Sequence, residues 1–289
     1  MTLGTWSAVD PPEHPVLFVN PRSGGGKAQR GDLAERERER GIDTIVLRPD
    51  DDLAALVDDA VARGADALGI AGGDGSLAAV AAAAFAHGLP FVCVPAGTRN
   101  HFALDVGVDR RDLVGSLDAF THGVERRIDV AEVNGRLFLN NVSLGIYGDA
   151  VKQPANRDAK TRTLAQTAAQ VLGPSAPAAG LELVDDRGCA HRDPAVVLVS
   201  NNPYSFEPRR APGTRPALDS GRLGVVVLDR PTGGPSLGRR WTPTQLEVNA
   251  PGLIDAGIDG EAVRLGSPLR FVIRPGTLRV RIASRQAIA

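Results

Sequence analysis

The strongest constraint on the fold is an alternation that runs through the first 125 residues. Short apolar runs at 16–20 (VLFVN), 44–48 (TIVLR), 67–71 (ALGIA) and 91–95 (FVCVP) are separated by longer stretches with a helical pattern. The runs are nearly continuous in apolar residues, as strands covered on both faces of a parallel sheet must be. The stretches between them, 27–40, 51–63 and 77–87, each end at a glycine (Gly41, Gly64, Gly88), the residue suited to the left-handed position after a helix. Within 51–63, Leu53, Leu56, Val57, Ala60 and Val61 recur at helical spacing, acidic residues open the stretch and Arg63 closes it. Repeated strand–helix–strand units predict a doubly wound parallel α/β domain over residues 1–125.

Beyond residue 123 the pattern changes. Residues 127–133, 136–142, 181–184, 195–200, 223–228, 245–248, 269–273 and 278–282 read as strands with little helix between them. Turn signals at Asn134-Gly135, Asp186-Arg187-Gly188 and Pro275-Gly276 punctuate them. This predicts an antiparallel β-sandwich over residues 126–289. One helix is expected at 159–172, ended by Gly173-Pro174, with long loops at 174–180 and 204–216.

Composition then excludes whole classes of function. A length of 289 residues fits two domains. Lys and Arg total 33 against 34 Asp and Glu, a net charge of −1, which argues against a general nucleic-acid binder. No apolar run approaches the roughly 18–20 residues of a membrane helix, and the first residues lack the basic and apolar regions of a signal peptide. The two cysteines, Cys93 and Cys189, have no partners at metal-ligand spacing and imply a reducing, cytoplasmic setting.

In open α/β sheets ligands bind at the carboxyl ends of strands, and three loops suited to phosphate fall there. The first is Asn20-Pro21-Arg22-Ser23-Gly24-Gly25-Gly26. Its glycines let main-chain N–H groups converge on an anion, although Lys27-Ala28 breaks the spacing of a Walker A loop. The second is Gly72-Gly73-Asp74-Gly75-Ser76, where Asp74 stands ready for Mg2+, with a plain helix cap at Asp74 or Ser76 as the bland reading. The third is Pro95-Ala96-Gly97-Thr98-Arg99-Asn100, in which Thr98 and Asn100 offer hydrogen bonds to a nucleotide.

NPRSGGGKA, GGDGS and PAGTRNHFA, in this order and spacing, resemble the catalytic domain of the diacylglycerol kinase family, which includes bacterial lipid kinases and sphingosine kinases. The resemblance continues through Phe138-Leu139-Asn140-Asn141-Val142-Ser143-Leu144-Gly145, through Leu218-Asp219-Ser220-Gly221 (the family's LDDG turn) and through Asp259-Gly260-Glu261 (its DGE motif). It implies an α/β ATP-binding domain followed by a β-rich domain for a lipid acceptor. It also implies an ATP- and Mg2+-dependent transfer of the γ-phosphoryl group to a lipid hydroxyl. ATP would be held by Asn20 to Gly24, by Gly73 to Ala79 and by Thr98; Asp74 would serve Mg2+ and Glu261 would be the general base. By its residues alone, Asp259-Gly260 is first a hairpin signal.

Three positions depart from the family pattern: His101 where an acidic residue is common, Ala79 where many bacterial members carry Glu, and Ser220 for the second Asp of LDDG. The alternatives are therefore a kinase for a soluble acceptor, of NAD kinase or phosphofructokinase type, and a catalytically weak nucleotide- or lipid-binding protein. A lipid acceptor implies peripheral, transient contact with the inner face of the cell membrane. Arg239-Arg240-Trp241, helped by Arg209-Arg210, is the candidate anchor, against a plainer reading of Trp241 as a core residue. The oligomeric state stays open, a homodimer included.

Overall fold

The computed structural model describes residues 5–26, 36–37, 39–98, 100–145, 180–205, 214–229 and 238–287. In chain order the strands are β1 (Ser7–Ala8), β2 (Pro15–Val19), β3 (Asp43–Val46), β4 (Ala67–Ala71), β5 (Phe91–Val94), β6 (Gly123–Val133), β7 (Arg136–Phe138), β8 (Asn141–Gly145), β9 (Glu182–Asp185) and β10 (Ala190–Arg192). They continue with β11 (Val196–Asn201), β12 (Leu223–Leu228), β13 (Arg239–Trp241), β14 (Gln245–Asn249), β15 (Ile254–Ile258), β16 (Glu261–Leu265) and β17 (Leu269–Ala283). The helices are α1 (Leu53–Ala62), α2 (Asp74–His87), α3 (His101–Asp105) and α4 (Leu113–Ser116).

The chain forms two compact units. Met1–Asp129, Ala217–Asp219 and Pro275–Ala289 make the first; Val130–Pro216 and Ser220–Arg274 make the second. The boundary expected at 125/126 thus falls a few residues early, and the end of the chain departs from expectation. Leu278, Val280 and Ile282 are buried, and Val280 and Arg281 pair in parallel with Phe91 and Val92 of β5. An apolar strand is most stable where both faces are covered, and so the last strand returns to the first unit.

In the first unit the strand order is β3-β2-β4-β5-β17, with every neighbouring pair parallel. Each residue of β2, β4 and β5 is buried. Leu17, Val19, Ala67, Ala71, Val92 and Val94 share one core with Leu117, Ala119 and Phe120, just after α4. Successive strand residues face opposite sides, so Val16, Phe18, Leu68 and Ile70 cover the other face, where α1 and α2 pack together and α2 lies on β4. Asp52 caps α1 by accepting from the N–H groups of Ala54 and Ala55, and Gly88 closes α2 at φ +67°. The expected helix 27–40 lies mostly outside the described residues.

The second unit holds two antiparallel sheets, β13-β12-β11-β8-β15-β16 and β10-β9-β14-β17. Inward residues of both, among them Val142, Leu144, Val197 and Val225 from one and Leu183, Leu246, Val248 and Phe271 from the other, form a single core. Phe138 meets Phe271 edge-on within it, at 6.3 Å between ring centroids. Several boundaries differ from the sequence expectation. The run 136–142 is two strands, β7 and β8, parted at Leu139-Asn140. Conversely, 269–273 and 278–282 are one strand, because the Pro275-Gly276 signal does not turn the chain; Gly276, at φ +61°, instead donates its N–H to Asp129 Oδ1 at 2.8 Å. Strands β10, β13, β15 and β16 were not read as such, being short, polar or wrapped around a turn motif. The helix expected at 159–172 and most of the loops at 174–180 and 204–216 lie outside the described residues, as do Arg209 and Arg210.

Candidate functional site

The chain passes from β2 to β3 on one side and then to β4 on the other, so the order of strands reverses between β2 and β4. Ligands of open α/β sheets settle at such a switch point, beyond the carboxyl ends of the strands. The three glycine loops follow β2, β4 and β5, three adjacent strands.

After β2, Asn20 donates its N–H to Ala71 O at 2.9 Å and its Nδ2 to Ser76 Oγ at 3.3 Å. One residue thereby ties the first loop to the second. Asn20 Oδ1 accepts from the Arg22 N–H at 3.1 Å. The backbone then passes from right-handed at Arg22 to left-handed at Gly24 (φ +57°), Gly25 (+68°) and Gly26 (+83°). Three successive left-handed residues all but require glycine, and the right-to-left change makes successive N–H groups converge as in anion-binding nests. Pro21 and Ser23 complete the loop between them.

The second motif is not a loop throughout. The sequence expectation starts the helix at 77, but α2 begins at Asp74 with Gly73 as its extended cap. Gly75 and Ser76 therefore lie in the first turn, where N–H groups have no intrahelical acceptor and the helix dipole favours anions. The cap has no side-chain hydrogen bond, so neither Asp74 nor Ser76 is the capping residue. Cys93 lies close enough for Asp74 to matter: burial pushes its thiol pKa well up, and the Asp74 carboxylate adds to the rise.

The third loop touches the second backbone to backbone. A Cβ on Gly97 would stand 2.6 Å from Gly73 Cα and 2.7 Å from Asn100 Oδ1, and one on Gly72 would stand 3.1 Å from Ser76 Cβ. Thr98 is exposed at the tip. Asn100, expected to face a nucleotide, is turned inward instead. It is buried and left-handed at φ +51°, and its Nδ2 donates to Pro95 O and Gly97 O, both at 2.9 Å. Its Oδ1 is buried without a hydrogen-bond partner among the described residues. Arg99 lies outside the described residues, and His101 is the exposed first residue of α3.

A Gly97 that has no room for a Cβ beside Gly73, a helix start and one carboxylate suit a phosphate chain with a shared cation. Among the described residues no three His, Cys, Asp or Glu side chains cluster to hold a metal by themselves. Asp74 alone fits Mg2+, which keeps waters and shares its ligands between one or two carboxylates and phosphate oxygens.

In the second unit the Asp259-Gly260 pair makes the β15–β16 turn, at φ +47° and +94°. Asp259, read from sequence as a turn residue, is an anchor. Its Oδ2 accepts from the Leu139 N–H at 2.8 Å, and its Oδ1 from those of Asn140 at 2.8 Å and Asn141 at 3.0 Å. Glu261 is the exposed first residue of β16 and pairs with Arg136, Nη2 to Oε2 at 3.1 Å. Arg215 was also missed. Its buried guanidinium donates to Leu139 O, to Asn201 O and to Asn140 Oδ1. Ser220, where the family has a second Asp, donates its Oγ and N–H to Asn202 Oδ1 at 2.6 and 3.0 Å. Trp241 is half-buried: it packs against the second core, with its ring tilted over that of His191 at 4.5 Å between centroids.

Comparison with known proteins gives consistent matches. Residues 14–133 match the diacylglycerol kinase catalytic domain. A probable lipid kinase YegS-like of Pseudomonas aeruginosa strain PAO1 is 29% identical, over 92% of this chain and 93% of its own. One of Pseudomonas fluorescens strain Pf-5 is 30% identical, over 80% and 82%. The crystal structure of a diacylglycerol kinase from Bacillus anthracis strain Sterne shares the fold, with a TM-score of 0.70 at 18% identity over 95% of this chain and 98% of that one.

Proposed function

This chain belongs to the diacylglycerol kinase family, and on that premise we propose that it is a lipid kinase, transferring the γ-phosphoryl group of ATP, with Mg2+, to a lipid hydroxyl. The observation that carries the reading is the meeting of three glycine-bearing loops at the switch point of the parallel sheet, two of them in backbone contact at Gly73 and Gly97.

In this reading the first unit is the nucleotide domain and the β-rich second unit takes the acceptor. Gly24 of the Asn20–Gly24 stretch and the start of α2, from Gly72 and the cap Gly73 through Ser76, offer N–H groups and a helix dipole to phosphate oxygens, while Asn20, Arg22 and Ser23, whose N–H groups are bonded within the protein, shape the first loop. Thr98 adds a hydroxyl, while Gly97 and Asn100 give the third loop its shape. Asp74 would hold Mg2+, which when bound would neutralise the charge that develops on the phosphate in transfer. Glu261 takes the proton as the lipid hydroxyl attacks the γ-phosphorus, the bond from that phosphorus to the β-phosphate oxygen breaks and ADP leaves. Phosphoryl transfer asks for little beyond positioning and charge neutralisation, so this inventory suffices. A lipid acceptor makes contact with the membrane surface peripheral; among the described residues no helix is long and apolar enough to cross a membrane.

The test is transfer of labelled phosphate from ATP to dioleoylglycerol in mixed micelles and to a total lipid extract, with NAD as a soluble acceptor. Label in the lipid phase, lost in Asp74→Ala and reduced in Glu261→Gln, is the expected result. Label on NAD alone, or none on any acceptor, overturns the reading.

A further inference from the structure

We propose that Arg136 is a positioning residue for Glu261, an inference that rests on the general-base role proposed above. The argument begins with how the carboxylate is shared. Arg136 Nη2 donates to Oε2 at 3.1 Å, and Oε1 has no partner among the described residues. A guanidinium that occupies one carboxylate oxygen leaves the other as the proton acceptor and fixes the direction in which its lone pairs point.

Exposure says what the pair is for. Their side chains are 48% and 56% exposed, and an ion pair this open to water contributes little to stability. Its ends are nevertheless held. Three residues after Arg136, the N–H groups of Leu139, Asn140 and Asn141 all end on Asp259, two residues before Glu261. One stretch of chain therefore grips the β15–β16 turn twice, by its main chain at Asp259 and by a side chain at Glu261. From the other side, buried Arg215 fixes that stretch through Leu139 O and Asn140 Oδ1. With the backbone at both ends anchored, only the rotamer freedom of the two side chains is left to oppose the Arg136–Glu261 contact. That is the condition under which a surface pair can orient a reacting group.

The experiment is a double-mutant cycle on the full chain, read as labelled phosphate transferred to dioleoylglycerol in mixed micelles. Arg136→Ala is expected to lower kcat roughly ten- to a hundredfold, the scale of a misplaced reacting group, with KM for ATP unchanged. Arg136→Lys recovers most of the loss, since an ammonium still reaches Oε2 without the planar fork. In the Glu261→Gln background Arg136→Ala has no further effect. An equal loss in both backgrounds, or no loss in either, overturns the inference while leaving the base assignment intact. Full turnover by Glu261→Gln, or none by the parent chain on any lipid, removes the base assignment itself, and the inference falls with it. Thermal melting of each variant separates misfolding from misplacement: a kcat loss that tracks a lowered midpoint counts against positioning.

Discussion

Replacing Asp259 isolates the contribution of one carboxylate to the second unit. Its oxygens accept from three main-chain N–H groups, and Leu139 and Asn140, which supply two of them, are buried. Asp259→Asn keeps Oδ1 for Asn140 and Asn141 but turns an amide NH2 toward the Leu139 N–H. Leaving one buried donor unmet costs ~1–3 kcal/mol. The left-handed φ of +47° adds nothing, since asparagine is at home there. The expected loss is about 2 kcal/mol. Asp259→Ala strands both buried donors, at ~1–3 kcal/mol each, and adds roughly 1 kcal/mol for a Cβ-bearing residue without a polar side chain at positive φ. With some relief from water it should cost about 4 kcal/mol. The molecule supplies the assay. Of its two tryptophans, Trp6 belongs to the first unit and Trp241 packs on the core of the second. In a Trp6→Phe background, urea unfolding followed by Trp241 fluorescence therefore reports on the second unit. Equal losses for Asn and Ala, or a loss below about 0.5 kcal/mol for either, would refute the assignment of Asp259 as an anchor through buried N–H groups.

Gly97→Ala places a Cβ 2.6 Å from Gly73 Cα; backbone on both sides has to give way, so stability should fall by about 1–3 kcal/mol and ATP affinity, measured by calorimetry, should fall with it. Cys189 is exposed and Cys93 buried with its thiol pKa pushed up; a thiol reagent should titrate one cysteine in the native protein and both in guanidinium. Asp186 accepts from the Thr244 hydroxyl and N–H, at 2.6 and 2.7 Å, which hold its pKa below the usual carboxylate value. A depressed folded-state pKa stabilises above the unfolded value and is lost as pH falls through the folded one, so below about pH 4 the parent's melting temperature should drop more steeply than that of Asp186→Asn.

The parallel sheet was legible because its signals are local. Continuous apolar runs and glycine-closed helices report the environment of each residue within a few positions of itself, and β2, β4 and β5 emerge within a residue or two of the expected bounds. The glycine loops were legible for the same reason: a left-handed or Cβ-excluding backbone leaves its mark on the residue that must adopt it. Asn100 shows where this reasoning stops. Its residue type suits a nucleotide contact and a loop brace equally well, and only the three-dimensional path of Pro95 and Gly97 decides for the brace.

Long-range partnerships leave no such mark. Asp259 meets residues about 120 positions away, and Arg136 meets Glu261 across 125. Asp259-Gly260 satisfies every local rule for a hairpin, and the turn is there. The same carboxylate then serves as acceptor for a distant stretch. A turn motif with a charged first residue therefore carries two meanings at once, and the local one conceals the other. The hairpin fixes where residue 261 begins its strand, and the anchor fixes where the hairpin stands. Holding the Glu261 carboxylate in one direction on an exposed strand end needs both, because neither a tight turn nor a surface ion pair alone would do so.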